Sequence, residues 1–264
     1  MRILRTVSDV RRALGGLPAG SIVGLVPTMG AFHEGHLSLF RAARRTCQVV
    51  VTSLFVNPLQ FGDAADLATY PRDEARDAAV AETAGVDYLF VPPVEEMYPP
   101  GHQTSIDVAG AAAGFESDFR PGHFRGVATV CVKLFLIVRP DLAFFGQKDA
   151  QQVAVVTQVV RDLNVPVEVR VEPTVRDADG LALSSRNVRL SRDDRIRAAA
   201  IPRALEAGRA ANRAGADPVA AARGVLAGLD VDYVAVSDLS GHPTLLVAAR
   251  LGRTRLIDNV RLDG

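Results

Sequence analysis

The chain has 264 residues, 48% of them hydrophobic and 23% charged, and its 30 basic and 30 acidic side chains leave a formal net charge of zero. That balance belongs to a globular chain of one large or two modest domains. It excludes a nucleic-acid binder, for which no basic block exists, and a membrane-spanning helix, since the longest apolar stretch, Gly126 to Val138, is interrupted by Lys133 and too short to cross a bilayer.

The N-terminal segment MRILRTVSDVRRAL carries arginines throughout and no apolar core, so it does not read as a signal peptide. SIVGLV, residues 21–26, predicts a buried strand, and GHLSLFRAARRT a helix with Leu37, Phe40 and Ala43 or Arg44 at helical spacing. QVVVTSLF, residues 48–55, is apolar on both alternating sets, as expected of a parallel strand covered on two faces. Cys47, beside this run, and Cys131 are the two cysteines; both lie in apolar surroundings and are expected as buried free thiols of a reducing cytosol.

Asp73 to Gly85 predicts an alanine-rich helix ending at a glycine, and VDYLFVP a further strand. Gly126 to Val138 fits helix or strand equally by periodicity. DLAFFG (141–146), a helix through about Leu163 and PVEVRVEP continue the alternation. The expected fold is α/β, a Rossmann-like doubly wound parallel sheet over residues 1–174, with ligands beyond the carboxyl ends of its strands. From residue 175 the character changes. A polar loop, TVRDADGLALSSRNVRLS, leads into two helices, roughly 191–213 and 217–229, and three strand-like runs, which predict a smaller α+β C-terminal domain over 175–264.

Four stretches carry chemistry. PTMGAFHEGH joins the first strand to the first helix, where backbone N–H groups and the helix dipole favour an anion. Gly30 and Gly35 allow close approach of a phosphate chain to the backbone. His33 and His36 could be phosphate handlers, metal ligands or polar residues of a turn; zinc would need a further ligand, and no nearby cysteine or histidine cluster supplies one. The dinucleotide G-x-G-x-x-G and the P-loop G-K-[ST] are both absent.

FFGQKDAQQ opens a helix after a strand. Its Lys148, one of only two lysines in the chain, suits ATP phosphates, and Asp149 suits ribose or a hydrated magnesium ion, unless it merely caps the helix. LSSRN, 183–187, offers two hydroxyls beside an arginine, an anion clamp or an ordinary turn. FVNPLQF presents Asn57 and Gln60, neutral amides suited to a small polar substrate or to a plain Asn-Pro turn. All four lie at strand ends or in the interdomain loop, and that convergence favours nucleotide binding.

PTMGAFHEGHLSL, FVNPLQF, YPRD, RPGHFRGVATV, FFGQKDAQQ, DLNVPVEV, DGLALSSRNVRLS and the final TRLIDNV, in this order, resemble the pantothenate synthetase (pantoate–β-alanine ligase) family over essentially the whole chain. HEGH matches the HIGH-type signature of the nucleotidyltransferase superfamily, and LSSRN stands where the KMSKS-type loop would be. The resemblance implies a cytoplasmic homodimer using ATP and Mg²⁺. It would join pantoate to β-alanine through a pantoyl adenylate, releasing pyrophosphate and then AMP.

It further implies an ATP site of Met29, Gly30, Ala31, Phe32, His33, Glu34, Gly35, His36, Gly146, Gln147, Lys148, Asp149, Val175, Leu183, Ser184, Ser185 and Arg186. His36, His33, Lys148 and Arg186 would be its catalytic members. Gln60 and Gln152 would hold pantoate, with Gln60 also on the β-alanine path, and Asn57, Tyr70, Arg120 and His123 would be secondary contacts. The metal's ligands are not implied. Three positions depart from the family's pattern: Gln147 replaces the glutamate of FGEKD, Ala150 an aromatic and Phe32 a leucine. Two rival readings are another small HxGH adenylyltransferase acting on a different acid, and a non-catalytic ATP sensor.

Overall fold

The computed structural model describes residues 1–239 and 241–263. The chain forms two compact units, one of Met1–Phe145 with Gln151–Glu172 and one of Gly146–Ala150 with Pro173–Gly264. Gly146–Ala150 thus joins the second unit although the chain on either side of it belongs to the first.

The first unit is built on strands β1 (Arg2–Leu4), β2 (Val23–Thr28), β3 (Val49–Leu54), β4 (Tyr88–Phe90), β5 (Leu142–Gly146) and β6 (Glu168–Glu172), in the sheet order β1-β4-β3-β2-β5-β6. The pairings β1–β4, β4–β3, β3–β2 and β2–β5 are parallel. Alternate residues of the central strands feed two separate cores, which is why those strands read as continuous apolar runs. Val23, Leu25, Val49, Val51, Ala143 and Phe145 enter a core shared with the helices Val7–Gly15, His123–Val138 and Ala150–Asp162. Val26, Val50 and Phe144 enter the other, under the helices Glu34–Thr46 and Glu74–Thr83. Successive connections reverse direction between β2 and β5, and a doubly wound sheet binds its ligand at such a switch point, outside the strand carboxyl ends.

The ambiguous stretch from Gly126 is part of the helix His123–Val138, of whose 16 residues 13 are buried. A helix covered nearly all round shows no amphipathic stripe, so its period was hidden. β1 and the helix Val7–Gly15 have no counterpart in the sequence reading, since three residues are too few to display a strand period.

The second unit holds an antiparallel meander of β7 (Asp230–Leu239), β8 (His242–Leu251) and β9 (Thr254–Arg261). Its core collects Ile201, Ala204, Leu205, Ala222, Leu245, Val247 and Ala249. The two helices expected over 191–213 and 217–229 are three: Arg192–Ala198, Ala200–Arg213 and Pro218–Val225. Pro202 accounts for the break. It has no N–H for the carbonyl of Ala198 and its ring crowds that carbonyl, so one helix ends and another starts with the proline in its first turn. Among the described residues no helix is long and apolar enough to cross a membrane.

Candidate active site

β2 ends at Thr28, and the next five residues must turn the chain into the helix Glu34–Thr46. Gly30 and Ala31 both adopt positive φ, +88° and +54°. A side chain at Gly30 would stand 2.6 Å from Leu54 Cδ1 and 2.8 Å from Asp77 Oδ2, so only glycine fits there. The left-handed Ala31 is held by the buried carboxylate of Asp77, which accepts the Ala31 N–H at 2.7 Å and the Phe32 N–H at 2.8 Å. Arg76 donates to the Phe32 carbonyl at 3.2 Å and lies 3.7 Å from Asp77.

The two histidines cap the helix that follows. His33 is the N-cap and its Nδ1 accepts the Gly35 N–H at 3.1 Å; Nδ1 of His36 accepts the His33 N–H at 3.3 Å. Imidazoles here do the work of the Ser and Glu in an ordinary capping box. The rings lie 4.3 Å apart between centroids, and His36 also packs on Phe32 at 5.4 Å. With Nδ1 accepting, each neutral ring carries its proton on Nε2, so the pair offers two ring N–H donors at the start of a helix whose dipole favours anions. Met29 through His36 thus run without a break from the strand end into the helix start. Among the described residues no group of three or more His, Cys, Asp or Glu is placed to hold a metal.

After β3, Gln60 is buried and its amide is held at both ends, by Asn57 and by Met29. Asn57 Nδ2 donates to Gln60 Oε1 at 3.0 Å and to the Gly126 carbonyl at 3.1 Å. Asn57 Oδ1 in turn accepts from Tyr98 Oη at 2.8 Å and from the Leu59 N–H at 3.3 Å. This assigns Gln60 Oε1 as acceptor and leaves Nε2 as the donor group, one of whose hydrogens goes to Met29 Sδ at 2.9 Å. The Gln60 backbone carbonyl lies 2.9 Å from His123 Nδ1 and 3.4 Å from Arg120 Nη2. Gly126 lets the buried helix approach, since a Cβ there would stand 2.4 Å from the Leu59 carbonyl. Of the secondary contacts, Asn57, Arg120 and His123 thus surround Gln60, while Tyr70 packs edge-on against Phe61. Burial raises the Tyr98 hydroxyl well above its ordinary pKa, so it stays a donor.

The tandem glutamines separate. Gln151 is buried, accepts the Glu116 N–H at 3.0 Å and donates to the carbonyls of Ala111, Ala113 and Gly114, a purely structural tie. Gln152 is half-buried on the same helix start.

In the second unit, Gln147–Asp149 forms a single 3₁₀ turn directly after Gly146, with Lys148 Nζ 3.5 Å from Asp149 Oδ1. The polar loop after Pro173 is a small hairpin: Arg176 and Ala182 pair as an antiparallel bridge, and the Leu183 N–H donates to the Val175 carbonyl at 2.9 Å. Arg195 clamps its tip by Asp177 and Asp179 at 2.6 Å each, and holds the Asp179 carboxyl below its ordinary range. The hairpin delivers Ser184 as the cap of the 3₁₀ helix Ser185–Arg189, its Oγ accepting the Arg186 N–H at 3.2 Å.

Both cysteines are buried free thiols, as expected. Burial pushes Cys131 up to about 12 and raises Cys47 as well, so neither supplies a thiolate nucleophile at neutral pH. The residues that sequence reasoning missed are Asp77, Tyr98 and Gly126. Each acts on a segment far away in the chain, and only Asp77, an acid in an alanine-rich helix, left any trace in the sequence.

The family model described as pantoate-beta-alanine ligase matches residues 2–261. Curated pantothenate synthetases of Rhizorhabdus wittichii and Heliobacterium modesticaldum are each 50% identical; the first covers 100% of this chain and 99% of its own, the second 92% of both. The crystal structure of pantothenate synthetase from Thermus thermophilus superposes with a TM-score of 0.93 at 46% identity, covering 99% of each chain. That of the pantoate-beta-alanine ligase from Francisella tularensis, complexed with beta-gamma ATP and beta-alanine, gives 0.87 at 33% identity, over 100% of this chain and 98% of its own. Matched from end to end by one family at up to half identity, the chain belongs to the pantoate-beta-alanine ligases and is a ligase.

Proposed function

We propose that this ligase joins pantoate to β-alanine through a pantoyl adenylate, at the expense of ATP. In the first step a pantoate carboxylate oxygen attacks the α-phosphorus of ATP; a new O–P bond forms and the bond to the β-phosphate oxygen breaks, releasing pyrophosphate. In the second the amine of β-alanine attacks the acyl carbon, the C–N bond forms, the bond to AMP breaks, and the nitrogen sheds a proton. The observation that carries this reading is the histidine pair, whose two Nδ1 atoms are turned to the backbone so that both Nε2–H groups are donors at a helix start beside the switch point.

Donors of that kind stabilise charge growing on phosphoryl oxygens. Since the carboxylate is itself the nucleophile, the enzyme needs no activated side chain, and catalysis rests on placement and electrostatics. Met29 through His36, Gly146 through Asp149, Val175 and Leu183 through Arg186 are assigned to ATP, with Lys148, Ser184, Ser185 and Arg186 toward its phosphates. Gln60 and Gln152 are assigned to pantoate; Gln60 Nε2, aimed by Asn57, donates to it and lies on the path of β-alanine. Mg²⁺ enters this reading as the ion that ATP phosphates carry, as Mg²⁺ commonly is bound. A homodimer and a cytoplasmic location complete the reading and are supported by family membership alone.

The test is pantoate-dependent exchange of labelled pyrophosphate into ATP without β-alanine. Exchange is expected; its absence in folded protein that binds ATP would favour the silent sensor or an adenylyltransferase for another acid. In the same assay, Gln60→Ala is expected to raise the pantoate KM by about 10- to 100-fold, the loss of one or two buried hydrogen bonds, with the ATP KM little changed. The reverse pattern would remove Gln60 from the pantoate site.

A further inference from the structure

The closing motif TRLIDNV lies on β9. Its Asp258 and Asn259 are consecutive polar residues on β9, 3% and 4% exposed. Asn259 Nδ2 donates to the backbone carbonyls of Gln147 at 2.9 Å and Lys148 at 2.8 Å, and its Oδ1 accepts from Gln147 Nε2 at 3.2 Å. Both amide hydrogens are thus spent on the turn that carries Lys148. Gln147 closes the ring of contacts, which a glutamate could not do, having no hydrogen to donate.

Asp258 holds the other segment. Its carboxylate takes a forked pair of hydrogen bonds from Arg176, 2.6 Å to Nη1 and 3.1 Å to Nη2, and accepts the Asn259 N–H at 2.8 Å. Arg176 forms one side of the bridge at the foot of the hairpin that delivers Ser184, Ser185 and Arg186, and also donates to the Gly180 carbonyl at 3.0 Å. Paired planar groups of this kind fix direction as well as distance. Two adjacent residues of one strand therefore grip both cationic segments, which accounts for Gly146–Ala150 belonging with the second unit.

We propose that Asp258 and Asn259 are positioning residues for adenylate formation: Asn259 fixes the backbone that aims Lys148, and Asp258, through Arg176, fixes the hairpin that aims Ser184, Ser185 and Arg186. This rests on the assignment of Lys148 and the hairpin to ATP.

The experiment is a double-mutant cycle in the exchange assay, with Asn259→Ala, Lys148→Ala and the pair, each first shown to be folded by its thermal transition. Asn259→Ala is expected to raise the ATP KM about tenfold and to leave the pantoate KM within about twofold. In the Lys148→Ala background the same change is expected to move the ATP KM by less than about twofold, because the group it positions is gone. An equal penalty in both backgrounds, or an unchanged ATP KM in folded Asn259→Ala, overturns the proposal and leaves a structural tie only. An unchanged ATP KM in Lys148→Ala alone overturns the assignment beneath it, and the proposal with it, and is read separately. Should Asn259→Ala not fold, Asn259→Ser keeps a hydroxyl donor at the same strand position and runs the same cycle, with an expected factor of about three.

Discussion

Replacing His36 by asparagine is expected to slow pantoate-dependent pyrophosphate exchange by about 100-fold while leaving the thermal transition close to that of the parent. The asparagine Oδ1 occupies the place of the ring Nδ1, so the His33 N–H keeps its acceptor and the helix its cap. What is lost is the Nε2–H, together with the packing of the ring on Phe32 and His33. Glutamine at the same position makes the opposite exchange, since its Nε2 reaches about as far as the ring nitrogen did, and that variant is expected to retain activity within about tenfold of the parent. Alanine removes both functions, and should add about 0.5–1 kcal/mol of lost capping to the kinetic defect. If asparagine were as active as the parent, donation from His36 would play no part in the reaction. If glutamine were as slow as alanine, the ring would be acting by moving a proton, which an amide cannot do.

The histidines were legible in the sequence because the elements that place them are contiguous: strand end, two glycines, helix start and both rings lie within one short stretch of chain. The central strands were legible for a related reason, since strands feeding two cores carry apolar residues on both alternating sets. The buried helix from His123 was not, because burial on all sides erases the period that identifies a helix. The glutamines show the same boundary within the site. Gln60 and Gln151 look alike as letters, yet one amide is aimed past Met29 by Asn57 and the other is consumed by the carbonyls of a loop some forty residues upstream. Partners distant in sequence made that difference. TRLIDNV was visible as a motif, but its task depends on β9 lying beside residues more than a hundred positions earlier.

Asp77 is the strongest case of a distant partner and carries the other large expected effect. Its carboxylate accepts two backbone N–H groups of the turn that precedes the histidines, one of them from Ala31 in the left-handed region. Left-handed backbone costs a non-glycine residue about 1 kcal/mol or more and persists only where neighbours enforce it. Asp77→Ala strands the buried Phe32 N–H, at about 1–3 kcal/mol, and the part-buried Ala31 N–H at less, and the turn is expected to relax. A shift of about 1 Å in groups aligned on a reacting phosphorus is enough for a loss near 100-fold in rate, so exchange should fall by that order even well below the melting temperature. Asp77→Asn separates shape from acceptance. It fills the same space, but its NH₂ must face one of the two N–H donors, so it should be intermediate in both stability and rate. The decisive comparison is kcat at low temperature, where every variant is folded. Full kcat in Asp77→Ala under those conditions would reduce Asp77 to a stabiliser of the first unit, whereas a kcat that stays low while the fold is intact makes this buried carboxylate the residue that sets the aim of the histidine pair.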